Sequence, residues 1–137
     1  MKKKKSLPKR GTASSVKSIA ACKVAIVGFG TVGSSVARIL SERSLPGVQI
    51  THICNRNVTR KKVAWLSEDV IWTDDFNDVL KSDANIVVEV IGGQKPAGEW
   101  ISKALSAGKS VVTANKQVIS RRGPEFEKLA KIGRAHV

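Results

Sequence analysis

"VAIVGFGTVGSSVARIL", residues 24–40, is the stretch on which the fold turns. Val24 to Val27 run without a polar interruption into glycines at 28, 30 and 33, and an apolar-periodic segment follows at once. An unbroken apolar run of this kind fits a strand buried on both faces, since an exposed face would show polar residues at every second position. The segment "TVGSSVARILSER", 31–43, sets Val32, Val36, Ile39 and Leu40 on one helical stripe, and "LPG" ends it. The expectation is therefore a buried strand, a glycine turn, and a helix that opens directly on that turn.

The same alternation continues along the chain. "VQITHIC" is a second strand, rich in β-branched residues, "RKKVAWLSE" a short helix, and "VIWT" a short strand. Asp74 or Asp75 can cap the helix "FNDVLKS" through its carboxylate. "NIVVEVIGG" is a strand running into a glycine pair, and "PAGEWISKALSAGK" a helix with Pro96 near its first turn. "SVVTANK" is the fifth strand and "GPEFEKLAK" the last helix. Strands that alternate with helices join as βαβ crossovers, which places the chain in the α/β class with a parallel sheet.

Composition narrows the function classes. The 137 residues carry a formal charge of +13, which would suggest nucleic acid if it were spread over a folded face. Instead, residues 1–23 hold eight bases and no acid, whereas residues 24–130 hold fourteen bases against eleven acids. Residues 1–21 mix Lys, Ser, Gly and Pro without periodicity and read as a disordered basic leader, a solvated tail rather than an arm for specific nucleic acid. Its composition also leaves room for an organelle transit peptide. No apolar run is long enough to span a membrane. Cys22 and Cys54 have no metal-like spacing, so no metal site is expected, and a reduced, cytoplasmic setting fits them.

Gly28, Gly30 and Gly33 form a G-x-G-x-x-G motif between strand and helix. That context gives each glycine a task beside a dinucleotide. Gly28 permits the tight turn, Gly30 lets the backbone approach the diphosphate, and Gly33 lets the helix pack close to the sheet with its terminal amides facing the anion. The bland reading is a turn with chance glycines. With the motif in place, the architecture becomes a Rossmann-like, doubly wound parallel sheet.

An acid about twenty residues on would grip the ribose 2′-hydroxyl of NAD. No acid lies between Arg43 and Glu68; the second strand ends instead in Cys54, Asn55 and Arg56, with Arg60, Lys61 and Lys62 beyond. Arg56 suits a 2′-phosphate through a charge-assisted, bidentate contact, so the cofactor reading is NADP or NAD with a lean to NADP. Asn55 could still bond a plain ribose, and the bases could equally be a solvated loop.

Taken together, "GFGTVG", "VVEVIGG", "ALSAGK" and "VVTANK" resemble the N-terminal NAD(P)-binding domain of homoserine dehydrogenase over about residues 23–130. The resemblance implies an oxidoreductase that interconverts L-homoserine and L-aspartate 4-semialdehyde, on the route to threonine and methionine. It implies that Phe29, Thr31 and Val32 line the cofactor, through backbone amides and one hydroxyl. Ile91, Gly92 and Gly93 would let the nicotinamide half lie close. Lys116 would donate to the cofactor or to the substrate oxygen, making it both a cofactor-binding and the catalytic residue. Asn115 would shape the turn. Trp65, Trp72 and Trp100 read as core or interface anchors, His52 as packed, and Glu89 is given no chemistry. Rival readings are another amino-acid or aldehyde dehydrogenase of this fold, or a non-catalytic nucleotide-binding module.

The family's cofactor domain is followed by a substrate and dimerisation domain. Its absence here implies a fragment, inactive alone, of a parent expected to be a homodimer or homotetramer. The sheet is accordingly expected to be incomplete at its C-terminal end. The coenzyme domain is expected over 22–130. The closing "KIGRAHV", 131–137, reads as a non-native tail, since a common sequencing-library adapter translates to the same residues.

Overall fold

The computed structural model describes residues 22–43 and 45–133. The leader at 1–21 lies outside the described residues, as do residues 134–137 of the closing segment. Five strands are described: β1 (Cys22–Val27), β2 (Val48–Cys54), β3 (Ile71–Thr73), β4 (Ile86–Glu89) and β5 (Ser110–Thr113). Five helices separate and follow them: α1 (Thr31–Arg43), α2 (Val58–Lys61), α3 (Phe76–Lys81), α4 (Ala97–Ser106) and α5 (Lys116–Gly133). All pairings are parallel, in the order β3-β2-β1-β4-β5. The chain winds outward from β1 to β3, then returns to the other side of β1 as β4. The switch point between β1 and β4 is where an open α/β sheet forms its ligand crevice.

The apolar run of β1 is explained by its two faces. Val24 and Ile26 point into one core with Ala37, Ile53, Leu66 and Val70, while Ala25 and Val27 point into the other with Val87, Ile101, Leu105 and Phe126. Successive side chains of a strand alternate between faces, so a central strand covered on both sides is apolar throughout. Helix α1 covers the first face, and α3, α4 and α5 the second. The buried Lys109 stitches the sheet's lower edge, its Nζ donating to the carbonyls of Ser82 and Ala84. On the edge strand β5, Val112 is 55% exposed.

Three local expectations are corrected. The inward stripe of α1 is not Val32, Val36, Ile39 and Leu40: Gly33 and Ala37 are buried, Val36 and Leu40 pack partly against the core, and Val32 and Ile39 are half exposed. Small residues win the inner face because the helix lies nearly on the sheet's loops. The helix expected at "RKKVAWLSE" is the single turn Val58–Lys61, ended by extended backbone at Lys62. Beyond it, Trp65 and Leu66 are drawn irregularly onto Phe29 and the core, and tertiary packing overrides local propensity. The last helix begins at Lys116 rather than near Gly123 and carries Pro124 inside it. Its buried Val118, Phe126 and Ala130 hold it against the second core through the proline. Lys131 to Gly133 continue this helix.

The cap at α3 resolves to Asp75, whose carboxylate accepts from the Asn77 amide at 2.9 Å. His52 is buried, its Nδ1 2.8 Å from the Thr51 hydroxyl, and burial lowers its pKa.

Helix α1 can approach so closely only because residue 33 has no side chain. A Cβ there would lie 2.0 Å from the Gly28 carbonyl oxygen and 2.8 Å from its carbon. Backbone must therefore shift to admit a methyl group. Gly33→Ala is expected to cost about 3 kcal/mol. It should lower the thermal midpoint by roughly 10 °C or more, measured by circular dichroism.

Candidate functional site

The loop after β1 is held from three sides. The Gly28 amide donates to the Cys54 carbonyl at the end of β2 at 2.8 Å, and the Val90 amide donates to the Val27 carbonyl at 2.9 Å. Gly28 itself takes φ 109°, and a Cβ on it would meet the Val90 carbon at 2.9 Å. The third hold is Asn55, whose Oδ1 accepts from the Phe29 amide at 2.9 Å. The Phe29 ring is buried, edge-on to Trp72 at 5.1 Å and stacked with Trp65 at 6.4 Å. Phe29 therefore anchors the loop by its ring, and its amide already has a partner.

Gly30, Thr31 and Val32 are exposed at the head of α1, where a helix leaves its first amides without intrahelical partners. Gly30 differs from its two companions. It has no positive φ, and a Cβ on it would meet nothing within 4 Å. No contact of the folded chain requires glycine at this position. A diphosphate approaching the helix head closely does, because a side chain would occupy the space it enters. The residues present thus fit a dinucleotide at this loop.

The loop after β4 is organised differently. Glu89 ends the strand with its side chain 1% exposed, and its Oε2 accepts from the amides of Ile91 and Gly92 at 3.0 and 3.2 Å. Its Oε1 accepts from the hydroxyl of Thr113, the residue opposite it in the β4–β5 register. The Thr113 oxygen accepts in turn from the Asn115 amide at 3.0 Å. Asn115 donates through Nδ2 to the Gly93 carbonyl and accepts at Oδ1 from the Val118 amide at 3.2 Å, capping α5. Gly92 and Gly93 are exposed and turn with φ 81° and 74°.

Between the ends of β2 and β3 and the loop after β4 lies a cavity of about 340 Å³ whose walls include Asn55, Arg56, Asp74, Ile91, Gly92 and Trp100. Trp100 also stacks on Phe76 at 4.7 Å, so it serves core and cavity together. Arg56 is exposed on this wall, near the ends of β2 and β3. Cys54, beneath it, is buried with its thiol pushed up to about 12, chiefly by desolvation, which keeps it protonated and unreactive. Lys116 is not part of this cavity. It lines a separate hollow of about 510 Å³ with Thr113, Ala114, Asn115 and Ile119, and it is the exposed first residue of α5. The two hollows are linked through the bond from Asn115 to Gly93.

The structure thus brings Arg56, Ile91 and Gly92 to one cavity, with the glycine loop at the switch point beside it and Lys116 one hydrogen-bonded step away. Sequence reasoning missed the structural role of Glu89, Thr113 and Asn55. A carboxylate and a hydroxyl each close a strand, Glu89 after β4's apolar run and Thr113 after Val111 and Val112, which marks their positions but not their roles. Among the described residues no group of His, Cys, Asp and Glu could hold a metal ion, and no helix is long and apolar enough to cross a membrane.

The geometry has close relatives. Residues 28–137 match the family model for the NAD-binding domain of homoserine dehydrogenase. The homoserine dehydrogenase of Synechocystis sp. is 37% identical over 79% of this chain, which covers 26% of that protein. A crystal structure of S. aureus homoserine dehydrogenase superposes with a TM-score of 0.74 at 33% identity, over 84% of this chain and 31% of that one. A hyperthermophilic archaeal homoserine dehydrogenase mutant, solved in complex with NADPH, gives 0.69 at 27% identity, over 84% of this chain and 42% of that one. The chain spans about a quarter of the length of the curated relatives it matches. It belongs to the homoserine dehydrogenase family, through that family's NAD-binding domain.

Proposed function

We propose that this chain is the coenzyme-binding part of an NAD(P)-dependent oxidoreductase that interconverts L-homoserine and L-aspartate 4-semialdehyde, within threonine and methionine biosynthesis. The observation that carries the reading is Gly30, a glycine at a helix head that the fold does not require and a diphosphate does. A cytoplasmic enzyme, assembled as a homodimer or homotetramer from the complete polypeptide, goes with it.

When bound, the nicotinamide supplies a hydride acceptor or donor. The chain's own residues do the rest. Amides at the head of α1, from Gly30 onward, receive the diphosphate, and the exposed Thr31 adds a hydroxyl. Ile91, Gly92 and Gly93 border the nicotinamide half, and the space where a Cβ would stand at 92 and 93 is open. Lys116, at the head of α5, offers an ammonium group to the coenzyme or to the substrate oxygen that gains and loses a proton. NADP is favoured over NAD by Arg56 on the cavity wall and by the lack of an acid between Arg43 and Glu68. The NADPH complex of the archaeal relative adds support.

Three substitutions separate these roles. Gly30→Ala should leave the thermal midpoint unchanged, because its methyl group enters open space, yet weaken coenzyme binding about tenfold or more. Titration of NADPH fluorescence checks it; an unchanged affinity removes the diphosphate from this loop. Arg56→Ala should weaken NADPH about tenfold and leave NADH nearly untouched, as expected for one charge-assisted contact to the 2′-phosphate. Equal losses for both coenzymes would place Arg56 elsewhere in recognition. In the complete enzyme, Lys116→Ala should lower kcat about a hundredfold with aspartate semialdehyde, the range of one lost proton-transfer group. Steady-state kinetics at several pH values read this out.

A further inference from the structure

Glu89 lies in the interior of the fold, and its side chain bonds only groups at and beyond the ends of β4 and β5. Both carboxylate oxygens are engaged: one by the Ile91 and Gly92 amides, the other by Thr113. From Thr113 the bonding passes to the Asn115 amide, and from the Asn115 side chain back to the Gly93 carbonyl. The result is a closed circuit with two ends that matter. One is the segment 91–93, and the other is the start of α5, capped by Asn115 at the Val118 amide and headed by Lys116.

The strands alone do not fix the distance between those ends. β4 and β5 pair through Glu89 and Thr113, with one long backbone bond after them from the Ala114 amide to the Glu89 carbonyl at 3.4 Å, and from there the two loops leave the sheet as separate segments. Beyond the last pair, the polar circuit joins them. We propose that Glu89, acting through Thr113 and Asn115, is a positioning residue. It holds the loop 91–93 and the head of α5 at one spacing, so that Lys116 stands at a set distance from the nicotinamide half of the coenzyme. The inference rests on the coenzyme reading above for its functional meaning, but not for its geometry.

Glu89→Gln would preserve the connectivity. Its amide oxygen accepts from Ile91 and Gly92, and its amide nitrogen donates to Thr113, whose oxygen retains a lone pair for the Asn115 amide while its hydroxyl hydrogen, which now points to Glu89, turns away. Thr113→Val breaks the circuit at its middle and leaves the Glu89 oxygen and the Asn115 amide without that partner. Asn115→Ala breaks it at the far end.

The test uses the 137-residue chain and two ligands. NADPH carries the nicotinamide; 2′-phospho-ADP-ribose has the same adenosine, 2′-phosphate and diphosphate without it. Calorimetric titration of Thr113→Val and Asn115→Ala should show NADPH weakened about tenfold, with 2′-phospho-ADP-ribose within about twofold of the unaltered chain. Glu89→Gln should hold both affinities. A general loss of structure weakens both ligands alike, and that result overturns the proposal, as does a Glu89→Gln loss as large as that of Thr113→Val. A second arm needs no ligand. In Thr113→Val, amide exchange at Ile91 and Gly92, followed by NMR, should quicken about tenfold while exchange at Gly28 stays the same. Unchanged exchange at 91 and 92 overturns the proposal. If the unaltered chain binds neither ligand, the coenzyme reading falls and the exchange arm alone decides the positioning role.

Discussion

The crevice depends on one steric constraint: the first turn of α1 rests on the carbonyl of Gly28, with no room for a single carbon between them. That contact brings the helix axis down onto the end of β1. It also aims the helix's unpartnered amides across the switch point instead of out to solvent. Gly28 in turn lies against Val90 and Ile91, so the loop after β1 and the loop after β4 are packed backbone to backbone. Helix, first loop and second loop thus form one stack, and its spacing is set by absent side chains. Bulky residues at 28 and 33 would open the crevice and separate the groups that must act together.

Much of this was legible in the sequence, for definite reasons. The unbroken apolar run of β1 reports burial on two faces, and its alternate residues do divide between the two cores. The glycine spacing reports close approach, which the contacts at Gly28 and Gly33 bear out. The strand–helix alternation gave the parallel sheet. What escaped was set by contacts distant in sequence. Periodicity assigned Val32 and Ile39 inward because they are apolar, but α1 lies so near the sheet that only Gly33 and Ala37 fit beneath it. Gly123 and Pro124 look like the start of a helix, and the packing of Val118 and Phe126 carries the helix straight through them. Glu89 was equally opaque. A carboxylate in a strand has no local signature that distinguishes a reacting group from one occupied by its own backbone.

The two crevice loops are supported by one device used twice. The residue after β2, Asn55, reaches the loop that follows the neighbouring strand β1; Asn115, just beyond β5, reaches the loop that follows the neighbouring strand β4. Side-chain amides suit this work because each can give or receive a hydrogen bond at short reach. Here the polarity differs. Asn55 accepts from an amide of the first loop, whereas Asn115 donates to a carbonyl of the second.

That difference extends to the ligand. In the loop after β1 the amides of Gly28 and Phe29 are taken, by the Cys54 carbonyl and by Asn55, and those at the head of α1 are left to attract an anion. In the loop after β4 the amides of Ile91 and Gly92 are consumed by Glu89, which itself carries an acidic group into the fold. A phosphate brought there would find no free donor from these two residues and a carboxylate behind them. An uncharged or positively charged ring would meet neither obstacle. A dinucleotide bound as proposed is therefore oriented by electrostatics before any specific contact forms. Its diphosphate is drawn to the first loop and kept from the second. Its redox ring is left for the side of the crevice that Glu89, Thr113 and Asn115 tie to Lys116.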